Sequence, residues 1–201
     1  VVSGGNEEVN STSIVPRLYL NDGIANFSKT VNQLPQLFIN ASCIKAADFD
    51  KDGDMDLFLG GRVIPLHYGI SPSSFILEND GKGYFTDVSA SKLGNEQKLG
   101  LVTDATWLDV NLDEKLDLIV VGEWMPVTVL VQDERGVFMN RTNDYGLDKT
   151  NGWWNAVATG DFDKDGDMDF VAGNLGLNSR LRASSSEPVE LFISDFDKNS
   201  S

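Results

Sequence analysis

The stretch DFDKDGDMD occurs twice in this chain, at residues 48–56 and again at residues 161–169. Each copy has aspartate at its first, third, fifth, seventh and ninth positions and glycine at its sixth, Gly53 or Gly166. So many like charges within nine residues repel one another unless a cation lies among them. Oxygen ligands around a tight glycine turn are what Ca²⁺ prefers. Because a solvated acidic turn explains two identical copies poorly, we predict a calcium ion in each loop.

The predicted ligands follow from their positions in the loop. The first, third, fifth and ninth residues offer carboxylates, and the seventh offers its main-chain carbonyl. In the first copy these residues are Asp48, Asp50, Asp52, Asp54 and Asp56. In the second copy they are Asp161, Asp163, Asp165, Asp167 and Asp169.

A third and weaker copy, DVNLDEKLD, occupies residues 109–117. Glu114 replaces the turn glycine there, and the sharp turn costs more without glycine. The equivalent ligand positions are Asp109, Asn111, Asp113, Lys115 (the seventh position) and Asp117. We therefore expect two strong calcium sites in the chain and a third that binds weakly or not at all.

The residues around the loops argue against an EF-hand. That motif needs a bidentate glutamate at position 12 and flanking helices, but position 12 is Leu59 in one copy and Ala172 in the other. Strand-like segments precede the loops at 43–47 and 155–159, and short apolar runs that stop at glycine follow them. We predict a strand–loop–strand setting for each ion.

A second element recurs between the loops, namely an apolar strand, a polar turn and then an aromatic residue. Taking Leu18, Ile76, Val129 and Leu191 as equivalent gives steps of 58, 53 and 62 residues, and the acidic loops step by 61 and 52. Two markers with one period indicate a repeat of about 50–60 residues, which fits a four-stranded β-propeller blade. We expect one all-β domain over 1–201, with repeats at approximately 1–47 (partial), 48–108, 109–160 and 161–201 (partial).

The two ends of the chain also fit this register. Residues 1–5, VVSGG, match the apolar run and glycine that follow an acidic loop. Residues 195–199, DFDKN, match a fourth acidic loop by composition and a hairpin turn by register, and both readings stay open. At three to three and a half blades, we expect an open arc rather than a closed ring, because propellers close with four to eight blades.

Composition bounds the function. The net charge is −15, and fourteen of the 31 acidic residues lie in the three loops. Since no cluster of Lys and Arg is present to meet phosphates, we do not expect a nucleic-acid partner. No run of eighteen apolar residues occurs, so we predict no membrane span. Millimolar calcium outside cells suits such loops and favours an extracellular location.

These features resemble the FG-GAP/VCBS repeat family, the repeats of integrin alpha-subunit propellers and of many secreted or surface bacterial proteins. The resemblance rests on DFDKDGDMDLFLGG, DFDKDGDMDFVAGN, LYLNDGIANF and FILENDGKGYF, and it covers nearly the whole chain. It implies a propeller that typically has seven blades, with Ca²⁺ held by the loop residues named above. It further implies recognition or adhesion at the cell surface, with a protein or a glycan as ligand. Glu114 departs from the family pattern.

A carbohydrate-directed role is the alternative. The chain could be the propeller domain of a polysaccharide-acting enzyme or a carbohydrate-binding module, and its tryptophans could stack on sugars. Such residues more often pack in the core. The four are Trp107, Trp124, Trp153 and Trp154. No pair of carboxylates stands out beyond the loops, and the single histidine and cysteine leave few ways to build a nucleophile–base pair, so we expect no enzyme.

Overall fold

The computed structural model describes residues 14–176, 184 and 191–194, and this part of the chain is almost entirely β-structure. The strands are β1 (Tyr19–Asn21), β2 (Phe27–Lys29), β3 (Asn40–Ala47), β4 (Asp56–Val63), β5 (Phe75–Asn79), β6 (Phe85–Asp87), β7 (Leu101–Leu108), β8 (Asp117–Met125), β9 (Thr128–Gln132), β10 (Phe138–Asn140), β11 (Gly152–Gly160) and β12 (Asp169–Asn174). Helix α1 (Ser89–Lys92) and a 3₁₀ turn (Gly94–Gln97) lie between β6 and β7. The predicted all-β class is confirmed.

The strands form a repeating antiparallel unit. Strands β3–β6 pair in chain order as a first meander, and β7–β10 pair in the same way as a second meander. Strands β11 and β12 pair with each other, and the start of β11 also pairs with the end of β8. Strands β1 and β2 form a separate hairpin. Two consecutive four-stranded units with the same strand order are consistent with a β-propeller-like fold.

The acidic loops and the hairpin turns lie where the sequence predicted them. The three loops join β3 to β4, β7 to β8 and β11 to β12, which confirms the strand–loop–strand setting. Each hairpin begins with an aspartate whose carboxylate accepts a hydrogen bond from the main-chain N–H two residues on. The distances are 2.9 Å for Asp22, 2.9 Å for Asp80 and 2.8 Å for Asp133. Such Asx-turns reverse the chain without help from its neighbours.

Both faces of the central strands are buried, because alternate residues enter two separate cores. In β8, Leu118 and Val120 enter a core shared with the first meander, and Ile119 and Val121 enter a core shared with β11. Strand β4 alternates in the same way, with Phe58 on one side and Leu59 on the other. A period of two therefore distributes an unbroken apolar run between two cores.

The first strands of successive repeats are joined by a repeated side-chain hydrogen bond. The Ser42 hydroxyl of β3 donates to the Val102 carbonyl of β7 at 2.6 Å. The Thr103 hydroxyl of β7 donates to the Trp154 carbonyl of β11 at 2.8 Å. Ser42 and Thr103 each lie six residues before an acidic loop, so one register position performs the same contact twice.

After the second meander, the strands among the described residues are β11 and β12. Leu191 does not form the strand that its spacing predicted, and residues 191–194 have no regular structure. Ile193 instead lies against Gly69, in the loop after β4. The predicted features at 1–5 and 195–199 lie outside the described residues. In the part of the chain that the structure describes, no helix is long and apolar enough to cross a membrane.

We predict that substitutions on either face of β8 are equally severe. Leu118→Ala and Ile119→Ala should each lower the free energy of unfolding by about 2–5 kcal/mol, because each opens a cavity in a separate core. Ile24→Ala is the control, since Ile24 is 78% exposed. Urea denaturation of the three variants measures this. If only one of the two β8 variants were destabilised, the strand would have one solvent-facing side.

Candidate metal centres in the acidic loops

The loop between β3 and β4 brings three of the predicted ligands together. Asp48, Asp50 and Asp56 each have a carboxylate oxygen within 4.8 Å of the other two. Oxygens that bind one Ca²⁺ at 2.3–2.6 Å lie at most about 5 Å apart, so this spacing suits a shared ion. The loop between β11 and β12 repeats the arrangement with Asp161, Asp163 and Asp169, although these side chains are more exposed.

Two left-handed residues shape each of these loops. In the first loop they are Lys51, at a φ of 63°, and Gly53, at 98°; in the last loop they are Lys164, at 66°, and Gly166, at 99°. A side chain at Gly53 would meet no atom within 4 Å, so glycine is needed there for its φ and not for space. The turn directs the N–H groups of Asp52 and Gly53 to the Asp48 carboxylate, both at 3.1 Å.

The ninth-position aspartate of the first loop is fully buried and joins three segments. Asp56 accepts hydrogen bonds from the N–H of Phe49 at 3.4 Å and from the N–H of Asn79, at the end of β5, at 2.9 Å. Burial raises the pKa of the Asp56 carboxyl to about 6, and these hydrogen bonds only partly offset it. Asp117 in the middle loop has the same role, accepting from Val110 at 3.0 Å and from Gln132 at 2.8 Å.

A buried carboxylate oxygen without a hydrogen-bond partner shows whether the first loop fits a cation. The Oδ1 atom of Asp54 is buried and has no hydrogen-bond partner. Burial and the charge of Asp52 raise the pKa of Asp54, with smaller effects from Asp50 and Asp48. A buried carboxylate oxygen without a donor is costly, and a cation among these carboxylates would remove that cost. The donor set therefore fits a hard divalent ion.

The fifth- and seventh-position aspartates lie outside the two groups of three. The Asp52 carboxylate accepts from the N–H of Asp54 at 3.1 Å, and Asp165 accepts from Asp167 at the same distance. The charge of Asp165 is the main cause that raises the pKa of Asp167. The structure thus unites the first, third and ninth predicted ligands and uses the fifth to hold the turn.

The middle loop keeps the turn without glycine. Glu114 takes a φ of 66° and Leu112 a φ of 59°, both left-handed. Asp109 accepts from the N–H of Asp113 at 3.2 Å and of Glu114 at 2.8 Å, as Asp48 does in the first loop. The main chain therefore adopts the loop shape at the expense of strain at Glu114.

The side chains of the middle loop differ more than its main chain does. The Lys115 ammonium lies 3.3 Å from Asp113 and 3.1 Å from Glu134, and the Asn111 amide donates to Asp113 at 3.2 Å. Although burial acts the other way, hydrogen bonds from Lys115 and Asn111 help to lower the pKa of Asp113. The described groups of three acidic side chains do not include this loop. The Lys115 ammonium thus already neutralises part of the negative charge of this loop.

Sequence reasoning missed the hairpin partners of the buried aspartates. Asn79 and Gln132 each stand directly before a hairpin aspartate, and their N–H groups bind Asp56 and Asp117. A polar residue at this position recurs in the β1–β2 hairpin as Asn21. Aligning the three hairpins would have revealed the signal. The ammonium of Lys115 was also missed, because the residue was considered only for its main-chain oxygen.

We predict that Asp56 makes metal-free stability fall as pH rises. Its pKa of about 6 lies above the ordinary 3.8, so the native state holds the proton more tightly than the unfolded chain does. Between pH 4.5 and 6.5 the metal-free protein should therefore lose stability relative to Asp56→Asn. Urea denaturation in chelator measures the difference.

The control for this pH dependence is Asp133→Asn. Hydrogen bonds from Val137 and Arg135 lower the pKa of Asp133 to about 2. Its stabilising effect is lost only as the pH falls towards that value, so the difference from wild type should be constant above pH 4.5. A constant difference for Asp56→Asn as well would contradict the raised pKa.

Comparison with known protein families places part of the chain. Residues 109–172 match the family model described as FG-GAP-like repeat. The match runs from the middle loop through the second meander to β12 and includes the last acidic loop. No curated protein matches the chain. This match is to the family that the sequence motifs resembled.

Proposed function

We propose that this chain is a calcium-stabilised recognition module of β-propeller type that acts outside the cell or at its surface. The observation that carries the proposal is the convergence of Asp48, Asp50 and Asp56, repeated at the equivalent positions of the last loop. Two sites built by one motif in the same strand–loop–strand setting are difficult to explain as chance exposed acids. The FG-GAP-like repeat at 109–172 supports the same role.

Calcium is the favoured ion because the donors are hard oxygens. Carboxylates and main-chain carbonyls suit Ca²⁺, whereas zinc and copper prefer the imidazole and thiolate ligands that these loops lack. In the first loop the ion would be held by Asp48, Asp50 and Asp56, and in the last by Asp161, Asp163 and Asp169. A bound ion supplies positive charge that offsets carboxylate repulsion, so its role in the proposal is structural.

The location and the partner follow from calcium and charge. Loops of this kind fill readily at the millimolar calcium found outside cells. The net charge of −15 opposes binding to nucleic acid. We therefore propose a protein or a glycan at the cell surface as the ligand.

We propose recognition rather than catalysis for this chain. Beyond the loops, the buried acid among the described residues is Glu123, and Arg62 and Tyr68 occupy its two oxygens. A glycosidase needs a second carboxylate across the substrate. This engaged, single carboxylate favours a binding role.

We also propose that the chain forms an arc of a larger propeller, with seven blades as the family typically has. Among the described residues, β12 pairs only with β11, and β1 pairs only with β2. In the first meander the corresponding strands β4 and β5 pair with each other. The free edges of β12 and β1 are therefore where further strands would add.

Calcium should stabilise the protein in proportion to the sites filled. At a hundredfold excess over Kd, each site should add about 2.7 kcal/mol to the free energy of unfolding, because the ion binds only the folded loop. Asp50→Asn and Asp163→Asn should each remove one site. Calorimetric titration counts the sites, and thermal melting in calcium and in chelator measures the stabilisation.

The middle loop provides the matched comparison. Asp113→Asn should leave the calcium stoichiometry unchanged, because Lys115 already pairs with Asp113. Lys115→Met should strengthen calcium binding to this loop by removing the internal cation. Melting curves that coincide in calcium and in chelator would contradict the metal proposal. Equal losses of calcium sites in all three aspartate variants would contradict the ranking of the middle loop below the other two.

The edges of β1 and β12, which are unpaired among the described residues, should make the chain self-associate. Sedimentation velocity should show an average mass that rises with protein concentration, because unpaired edge strands add strands of another copy. Val171→Lys should reduce the association, since Val171 is 54% exposed on β12 and charge on an edge strand opposes pairing. A monomer at every concentration would refute the open arc.

A further inference from the structure

The four tryptophans have separate roles in the structure. Trp107 stacks on Phe49 in the core of the meanders, with ring centroids 6.0 Å apart, and Trp154 packs against the core next to β11. Trp124 and Trp153 instead meet each other, with centroids 5.5 Å apart and ring planes at 48°. Trp153 is paired in register with the buried Glu123, and the Trp124 indole bonds to Tyr68, so this pair is joined to polar neighbours.

The pair belongs to a cluster at the strand ends that lie farthest from the acidic loops. We define the strand-end cluster as Arg62, Tyr68, Glu123, Trp124 and Trp153. Glu123 lies six residues beyond Asp117 along β8, or about 20 Å from the middle loop at about 3.3 Å per residue. Trp153 is paired in register with Glu123. The cluster therefore combines side chains from the first meander, β8 and β11, and is distinct from the candidate metal centres.

An ion pair between the half-buried Arg62 and the buried Glu123 forms the base of the cluster. Arg62 Nη2 lies 2.5 Å from Glu123 Oε1, and the Tyr68 hydroxyl donates to Oε2 at 2.6 Å. The Trp124 indole N–H donates to the Tyr68 oxygen at 2.9 Å. Burial would raise the pKa of Glu123, but the hydrogen bonds from Arg62 and Tyr68 hold it below the ordinary value. The base is thus a hydrogen-bonded ion pair without net charge.

One donor of the base is left without a partner. Arg62 Nη1 is buried and makes no hydrogen bond. Native proteins rarely leave a buried donor of a charged group unpaired, because the lost hydration is not replaced. This atom indicates an acceptor that a ligand or its bridging water would supply.

The backbone is strained where the cluster departs from the repeat. Trp124 has a φ of +62°, a conformation that is a genuine outlier for a bulky side chain. Val63 occupies the same register position in the first meander, seven residues after the buried aspartate, and is not among the left-handed residues. The β8–β11 pairing is also irregular between Gly152 and Trp153. The strained conformation occurs at Trp124 and not at the equivalent Val63, which indicates a role for Trp124 other than packing.

The chemistry favours a ligand with both apolar faces and hydroxyl groups. Tyr68 is 46% exposed, and Trp124 and Trp153 are half-buried, so aromatic surface is accessible above the charged base. Aromatic rings present an apolar face, and Arg62 Nη1 is a donor without a partner that could serve a hydroxyl or its bridging water. The neutral base offers no net attraction for a polyanion, and the chain charge of −15 repels one.

We propose that the strand-end cluster is a binding site for a neutral saccharide. The proposal deepens the recognition function proposed above, since it selects a glycan from the two ligand classes left open there. Stacking on Tyr68 and the tryptophans would supply contact area, and the unpaired donor of Arg62 would orient a hydroxyl, directly or through a water.

The test is a binding screen with matched tyrosine variants. The 201-residue chain, with calcium present, is screened against neutral oligosaccharides of glucose, mannose, galactose, xylose and N-acetylglucosamine, and hits are titrated calorimetrically. Tyr68→Ala should weaken binding about tenfold or more. Tyr84→Ala should not, because Tyr84 has similar exposure, 52%, but lies in the hairpin at the acidic-loop end.

A second variant separates binding from folding. Trp124→Gly places glycine at a left-handed φ, which glycine adopts without strain, so the variant should fold normally and still lose the saccharide. Titration of calcium in the same samples distinguishes the two proposals. Normal calcium binding with no saccharide signal overturns this inference alone, whereas saccharide binding without calcium binding overturns the metal proposal alone.

Two further outcomes would also overturn the saccharide site. One is saccharide binding that survives both Tyr68→Ala and Trp124→Gly. The other is binding, sensitive to Tyr68→Ala, of oligolysine or polygalacturonate in place of every neutral sugar, which would show that the cluster recognises charge.

Discussion

Two buried carboxylates, Asp56 and Asp117, hold the repeating unit of this structure together. Each ends an acidic loop, begins a central strand and accepts the N–H of the residue that leads into the next hairpin. The start of the loop, the central strand and the end of the next strand thus meet at one fully buried carboxylate in each meander. Such a charge is stable only when donors surround it, which ties the loop, the strand and the hairpin into one cooperative element. A cation in the first loop would add to this arrangement, because Asp56 is also one of the three converging carboxylates.

The meanders depend on each other because neither buries its faces alone. Alternate residues of β4 and β8 enter different cores, and the hydroxyls of Ser42 and Thr103 link the first strands of successive repeats. Stability in such an array comes from interfaces between neighbours as much as from each unit. The same register position makes the same contact in each repeat, so repetition of sequence becomes repetition of packing. Where the repeat is broken, at Lys115 and at Trp124, the structure shows a local charge pair or a strained backbone instead.

The two ends of the strands therefore differ in chemistry. One end carries the acidic loops, with carboxylates converging in the first and last and an ammonium group neutralising part of the middle one. The other end carries the Arg62–Glu123 pair beneath aromatic side chains. Arg62 and Glu123 occupy the same position in successive repeats, six residues after Asp56 and Asp117. A repeat protein can place opposite charges side by side in this way, since equivalent positions of neighbouring units lie close together.

The sequence alone determined the features that depend on local order. Spacing of aspartates and glycines located the three loops, apolar runs located their flanking strands, and Asp22, Asp80 and Asp133 located the hairpins, because turns and alternation act within a few residues. The common period indicated four-stranded units before any contact was known. Only the tertiary structure decided which carboxylates converge, since the fifth-position Asp52 is used by its own turn. It alone decided that Lys115 turns its ammonium to Asp113, that Trp124 joins Trp153 while Trp107 enters the core, and that Leu191 leaves the predicted register. The aromatic contacts join residues far apart in the chain, and the positions of Asp52 and Lys115 depend on side-chain directions that spacing alone does not fix.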